Sequence, residues 1–243
     1  GPAARAWFWL NERAGCWLGD HLIADHPEIA RHLATRTAAR RISTIPYAAE
    51  AVRPLPTADL ARWGLSSGRY LTLVARAEPE NSILEIVRAY AARPRGMPLV
   101  VLGSYRPEDA YHARVQASAG PEVRFIGPIY DKPALQQLRA HALGYLHGHR
   151  VGGTNPSLVE ALGAGNAVFA HDNVFNRWVA GTGAAYFSDV DSLDRALTAA
   201  LASPATLQSM RSASLRRHAE AFTVAAVMGQ YTALLGRWAD GSG

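Results

Sequence analysis

From Tyr70 onward the chain alternates short apolar runs with longer amphipathic segments, and this alternation restricts the fold more than any other feature. Residues 70–75, 98–103, 123–126, 143–147, 167–170 and 184–187 read as strands. Residues 82–92, 108–117, 133–141 and 156–164 read as the helices between them, and 191–201, 205–219 and 224–238 as helices that follow. Strands that alternate with helices build a parallel sheet with helices on both faces, a Rossmann-like α/β fold. Ligands bind such sheets beyond the carboxyl ends of the strands.

Ahead of this region the pattern is less regular. Residues 5–20 read as a helix with Trp7, Leu10, Ala14 and Trp17 on one face, 22–24 as a strand, 27–33 as a helix and 42–47 as a strand. Pro54 and Pro56 mark a linker. The division expected is 1–55 as a partial N-terminal segment, 56–65 as linker, 66–220 as the main domain and 221–243 as a closing helix. No internal repeat or low-complexity tract interrupts it.

A chain of 243 residues fits one large domain or one and a half smaller ones. Its net charge of +5 is spread along the sequence, with no basic block interleaved with aromatics, so nucleic acid is not an expected partner. No apolar run is long enough to span a bilayer. The single cysteine, Cys16, excludes an internal disulfide and suits a reducing, cytoplasmic compartment. Trp7, Phe8, Trp9 and Trp17 suit a membrane interface or, more commonly, packing against a neighbouring domain. Gly1-Pro2 has the form of a protease-cleavage scar, from which the chain is expected to begin inside a longer protein.

Residues 148–171 carry the strongest chemical signal. Gly152, Gly153 and Thr154 lead into Asn155-Pro156-Ser157 and a helix beginning near Leu158. Asn155 suits an N-cap and Pro156 the first helical position. A helix opened this way offers free N–H groups and a positive dipole end to a phosphate or diphosphate. Glu160 lies about one turn in, where a carboxylate can reach ribose hydroxyls.

This segment resembles the C-terminal signature of family 4 GT-B glycosyltransferases, and its form GGTNPSLVEA looks most like the rhamnosyltransferase branch. Of the family's two glutamates eight positions apart, Glu160 matches the second, while Gly152 stands in place of the first. The resemblance implies a GT-B C-terminal, donor-binding domain from about residue 66. Residues 1–55, around 23–27 and 45–47, resemble the end of the preceding acceptor domain. Arg76 matches a family arginine that faces the diphosphate, and Asn81 stands where the family has a lysine. By the same resemblance Asn155, Pro156, Ser157 and Leu158 face the diphosphate, Glu160 the ribose, and Gly127, Pro128 and Ile129 the base. His149, Gly152, Gly153 and Thr154 lie near the donor sugar.

The activity implied is metal-independent transfer of a hexose from a nucleoside-diphosphate sugar, in this branch rhamnose from dTDP-rhamnose, with UDP and GDP sugars as alternatives. The acceptor implied is a glycan or lipid-linked sugar of a bacterial surface polysaccharide, at the inner face of the membrane, and peripheral membrane association follows for the complete protein. No cofactor is implied and no general base is assigned. His147 and His149 lack further ligands at metal spacing, and Ser157 lacks a nucleophile elbow. A non-catalytic nucleotide-sugar-binding module is the alternative, supported by Gly152 and Asn81, and a nucleotide-sugar epimerase a weaker one.

Overall fold

The computed structural model describes residues 1–52 and 58–239. In chain order the elements are α1 (Pro2–Leu18), β1 (Leu22–Ala24), α2 (Pro27–Leu33), β2 (Ile42–Thr44), β3 (Leu71–Val74), α3 (Ile83–Ala91), β4 (Leu99–Leu102), α4 (Ala110–Ala117), β5 (Val123–Phe125) and α5 (Lys132–Ala140). They continue with β6 (Gly144–His147), α6 (Pro156–Gly163), β7 (Ala167–His171), α7 (Val174–Ala180), β8 (Ala185–Phe187), α8 (Val190–Leu201), α9 (Pro204–Ala221) and α10 (Val224–Ala239).

Strands β3 to β8 form one parallel sheet in the order β5-β4-β3-β6-β7-β8. Central strands buried on both faces read as nearly continuous apolar runs. Hence Leu99–Leu102 of β4 and Ala167–Ala170 of β7 are all buried, whereas the edge strand β5 exposes Arg124. The chain steps outward from β3 to β5, returns to lay β6 beside β3, then steps out the other way. The connections after β3 and β6 therefore diverge, and a crevice opens between them at the carboxyl ends.

One side of the sheet is filled by α3 and α8, with Ile83, Ile86, Val87, Leu193 and Leu197 buried against Leu71, Leu73 and Phe169. The other is filled by α6, whose Leu158, Val159, Ala161 and Leu162 are buried. Burying each of the larger side chains contributes about 1.5–3 kcal/mol, so the position of α6 is set by packing rather than by its loop. Gly163 lets the other side of α6 approach the segment around Glu50 and α9, since a Cβ there would lie 2.9 Å from the Glu50 carbonyl oxygen and 3.0 Å from His218 Nε2.

The structure changes several sequence expectations. Helix α7 is not among the elements expected from the sequence, because its seven residues are too few for a period to show. The strand expected over 42–47 ends at Thr44, before Pro46, which cannot donate to a ladder. Of the linker expected over 56–65, residues 56 and 57 lie outside the described residues, while Ala58–Trp63 form a 3-10 helix and Leu60 and Leu65 are buried against Tyr70 and Val100.

The N-terminal segment contributes a separate two-stranded parallel sheet, β1-β2. Helix α10 packs on it through Val227 and Leu234 against Ile45. Among the described residues the aromatics of α1 stay exposed. Trp7 and Trp17 are 66% and 80% exposed, and Cys16 is the buried residue of α1. Phe222 stacks edge-on with Trp178, at 5.7 Å. No helix among the described residues is long and apolar enough to cross a membrane.

Candidate functional site

Two cavities lie side by side in the crevice. The larger, about 540 Å³, is walled by the segment after β3, by Leu102 to Ser104 and Arg106 after β4, and by Pro128, Ile129 and Tyr130 after β5. The smaller, about 240 Å³, has Tyr145, His147 and His149 from β6 on one side and Asn155-Pro156-Ser157 on another. Val74, Ala75, Arg76 and Ser157 border both.

Helix α6 begins as its sequence dictates: the Asn155 side chain accepts from the Ser157 N–H at 3.0 Å, and Pro156 takes the first position. The free donors expected there are engaged, however. Pro156 has none, Ser157 is capped, and the Leu158 N–H bonds the Asn155 carbonyl at 3.1 Å. The helix end thus offers its dipole and the Ser157 hydroxyl rather than a row of open N–H groups, and the Leu158 side chain is buried away from the crevice.

Among the described residues the Arg76 guanidinium is held by an exposed pair with Glu80 at 3.2 Å, its side chain 79% exposed. Such a pair is worth about 0–1 kcal/mol, so the guanidinium can leave it for a phosphate at little cost. Asn81 is different. It is buried, its Nδ2 donates to the Arg76 carbonyl at 2.9 Å, and its Oδ1 lies 2.7 Å from His149 Nδ1. Both amide atoms are committed, and Asn81 ties two loops together instead of aiming a donor at a phosphate. With Oδ1 fixed as acceptor, the His149 proton sits on Nδ1. Burial lowers the His149 pKa, which favours the neutral ring. Burial lowers that of His147 much further, to about 3.

The Tyr145 hydroxyl lies 3.3 Å from both the Val74 carbonyl oxygen and His147 Nδ1, on the floor of the smaller cavity. His147 and His149 have ring centres 6.2 Å apart. No group of three or more metal-ligating side chains gathers among the described residues.

Glu160 lines neither of these two cavities. Arg139 Nη2 lies 2.6 Å from its carboxylate, and the pair lines a separate cavity with Lys132 and Glu50 that shares Leu135 with the larger one. Glu160 lies three residues beyond Ser157 on the same side of α6, and the buried guanidinium of Arg139 holds its carboxylate. Gly127 takes a positive φ of 76° at the turn after β5, which brings Pro128 and Ile129 to the cavity wall. Gly152, Gly153 and Thr154 line neither cavity, and Thr154 is held by Asp25 of the N-terminal segment.

Sequence reasoning missed three parts of the site. His112 donates from Nε2 to the Ala77 carbonyl at 2.7 Å and accepts the Arg106 N–H at Nδ1, bracing the loops after β3 and β4. Asn176, inside α7, donates to the His149 carbonyl at 2.8 Å, beside Asn173, the α7 cap, which donates to it at 3.0 Å. Gly103 runs so close to β3 that a Cβ would lie 2.7 Å from the Ala75 carbonyl oxygen. Polar residues that work through backbone carbonyls on other elements leave no local pattern to read.

A doubly wound parallel sheet with its crevice at this strand reversal is the fold of GT-B glycosyltransferases. Anabaena HepE, solved in complex with UDP, superposes with a TM-score of 0.78 at 15% identity, over 91% of this chain and 65% of its own. Sucrose-phosphate synthase from Thermosynechococcus elongatus gives 0.80 at 21% identity, over 95% and 61%. A glycosyltransferase from Rickettsia africae gives 0.75 at 11% identity, over 89% and 62%. The chain thus spans less than two thirds of each of these proteins. No protein-family model and no curated protein matches its sequence.

Proposed function

We propose that this chain binds the donor for a metal-independent glycosyltransferase of bacterial surface-polysaccharide assembly. The donor is a nucleoside-diphosphate sugar, and the resemblance of the GGTNPSLVEA segment favours dTDP-rhamnose. The acceptor is a glycan or lipid-linked sugar, which would bring the complete protein to the inner face of the membrane.

The observation that carries this reading is the pair of adjoining cavities that share Arg76 and Ser157. The larger suits the nucleoside and the smaller the sugar, with the diphosphate across the divide. Negative charge that develops on the leaving diphosphate would meet an arginine fork and a helix N-terminus, and donors placed in advance act where charge forms. HepE, with the same fold, has also been solved with UDP-glucose.

The test is calorimetric titration of UDP, dTDP and GDP, each beside its nucleoside. Arg76→Ala should weaken diphosphate binding at least about tenfold, the lower end of a charge-assisted hydrogen bond, and leave the nucleoside nearly unaffected. Equal losses for both would remove Arg76 from the phosphate. Gly152 in place of a glutamate, and Asn81 tied to protein groups, favour a second reading, a binding module without catalysis. Sugar transfer by the complete protein in the presence of a chelator would eliminate it.

A further inference from the structure

The loop that joins β6 to α6 is clamped from two directions. On one side Asn173 and Asn176 hold the His149 carbonyl. On the other, a residue far away in sequence holds the opposite end. Asp25 Oδ2 accepts the Thr154 N–H at 2.9 Å, and the Thr154 hydroxyl donates to the Asp25 carbonyl.

The fit of Asp25 is close. Thr154 is buried, and a Cβ at Gly153, whose φ is 76°, would lie 2.6 Å from Asp25 Oδ2. Glycine at 153 therefore meets two needs at once, the left-handed backbone and room for the carboxylate. Asp25 itself is rigidly placed. It follows β1, where the Ala24 carbonyl accepts the Ile45 N–H at 2.8 Å. The next residue, His26, is buried between Phe175 and Trp178, with ring centres 5.0 and 4.6 Å away. The clasp thus transmits the position of the N-terminal segment to Asn155, the cap of α6. It also brings a carboxylate to a loop that has none of its own at Gly152.

We infer that Asp25 is a positioning residue for the nucleotide site, setting through Thr154 where α6 begins and so where Ser157 stands relative to Arg76. This rests on the site reading given above. It predicts that the clasp matters to ligands carrying a diphosphate and little to a nucleoside alone.

The experiment compares wild type, Asp25→Ala and Asp25→Asn in the full chain, by titration of UDP and uridine and by amide hydrogen exchange over residues 154–158 without ligand. Asp25→Ala should bind UDP at least about tenfold more weakly, with uridine changed by less than about twofold. Asp25→Asn should recover most of the loss, because its amide oxygen can still accept the Thr154 N–H. Exchange should be faster in Asp25→Ala. Unchanged exchange, or equal losses for UDP and uridine, would overturn the inference. If Asp25→Ala does not fold, Thr154→Val, which removes one hydroxyl, should show the same UDP-selective loss to a smaller degree. Failure of wild type to bind any nucleotide would overturn the site reading instead, and hydrogen exchange would still decide whether Asp25 positions the loop.

Discussion

Asn81 offers the sharpest discrimination between a ligand-binding residue and a structural tie. Asn81→Ala removes the donation to the Arg76 carbonyl at 2.9 Å and the acceptor for His149 Nδ1 at 2.7 Å. Each is worth about 0.5–1.5 kcal/mol net, so the pair should contribute roughly 1–3 kcal/mol. Because the side chain is buried, water does not readily replace the lost partners. In a chain of 243 residues each kcal/mol moves the midpoint by roughly 2–4 °C. A loss near 2 kcal/mol should therefore lower Tm by about 4–8 °C in calorimetry without ligand. UDP affinity should fall as well, because His149 and Arg76 both border the smaller cavity. Asn81→Asp keeps the acceptor toward His149 but sets a carboxylate oxygen against the Arg76 carbonyl, so it should recover only part of the stability. A Tm unchanged to within about 1 °C, with UDP binding weakened, would refute the tie and make Asn81 a ligand group.

Other outcomes are accessible by the same methods. Asn155→Ala should cost about 1 kcal/mol through loss of the cap to Ser157, whereas Asn155→Ser should cost little, both read by denaturant unfolding. Glu160→Gln leaves the buried Arg139 guanidinium without its counter-charge. The cost should fall at about 1–2 kcal/mol, between an exposed and a buried pair, and a parallel loss of uridine affinity would return Glu160 to the ribose. The His147 pKa is about 3 in the folded state against an ordinary 6.5, so the unfolded chain binds the extra proton between these values. Stability should be full above pH 6.5 and fall as pH drops toward 3, by about 2 kcal/mol at pH 5 from this group. His26, His149 and His171, also lowered chiefly by burial, act in the same direction. Equal stability at pH 7 and pH 5 would contradict this.

The main sheet was legible in the sequence because its strands are buried on both faces and its helices on one, and both patterns are local. Six strands and their connecting helices could be bounded to within a residue or two, as with β4, expected over 98–103 and found at Leu99–Leu102. The start of α6 was legible for the same reason: Asn155 and Pro156 act on their immediate neighbours. The short helix α7 was not, and with it went the amides that hold the His149 carbonyl.

What the sequence by itself determined is therefore a Rossmann-like parallel sheet and the capped helix start beside its crevice. Each depends on residues within a few positions of one another. The partners of polar side chains were decided only by the tertiary structure. Asn81 turned to two protein groups, Glu160 turned to Arg139, and Asp25 closed on Thr154 across 129 residues of chain. A buried polar atom bonds whatever complementary group packing brings within about 3 Å. That neighbour is chosen by how helices and strands stack, which no local pattern records.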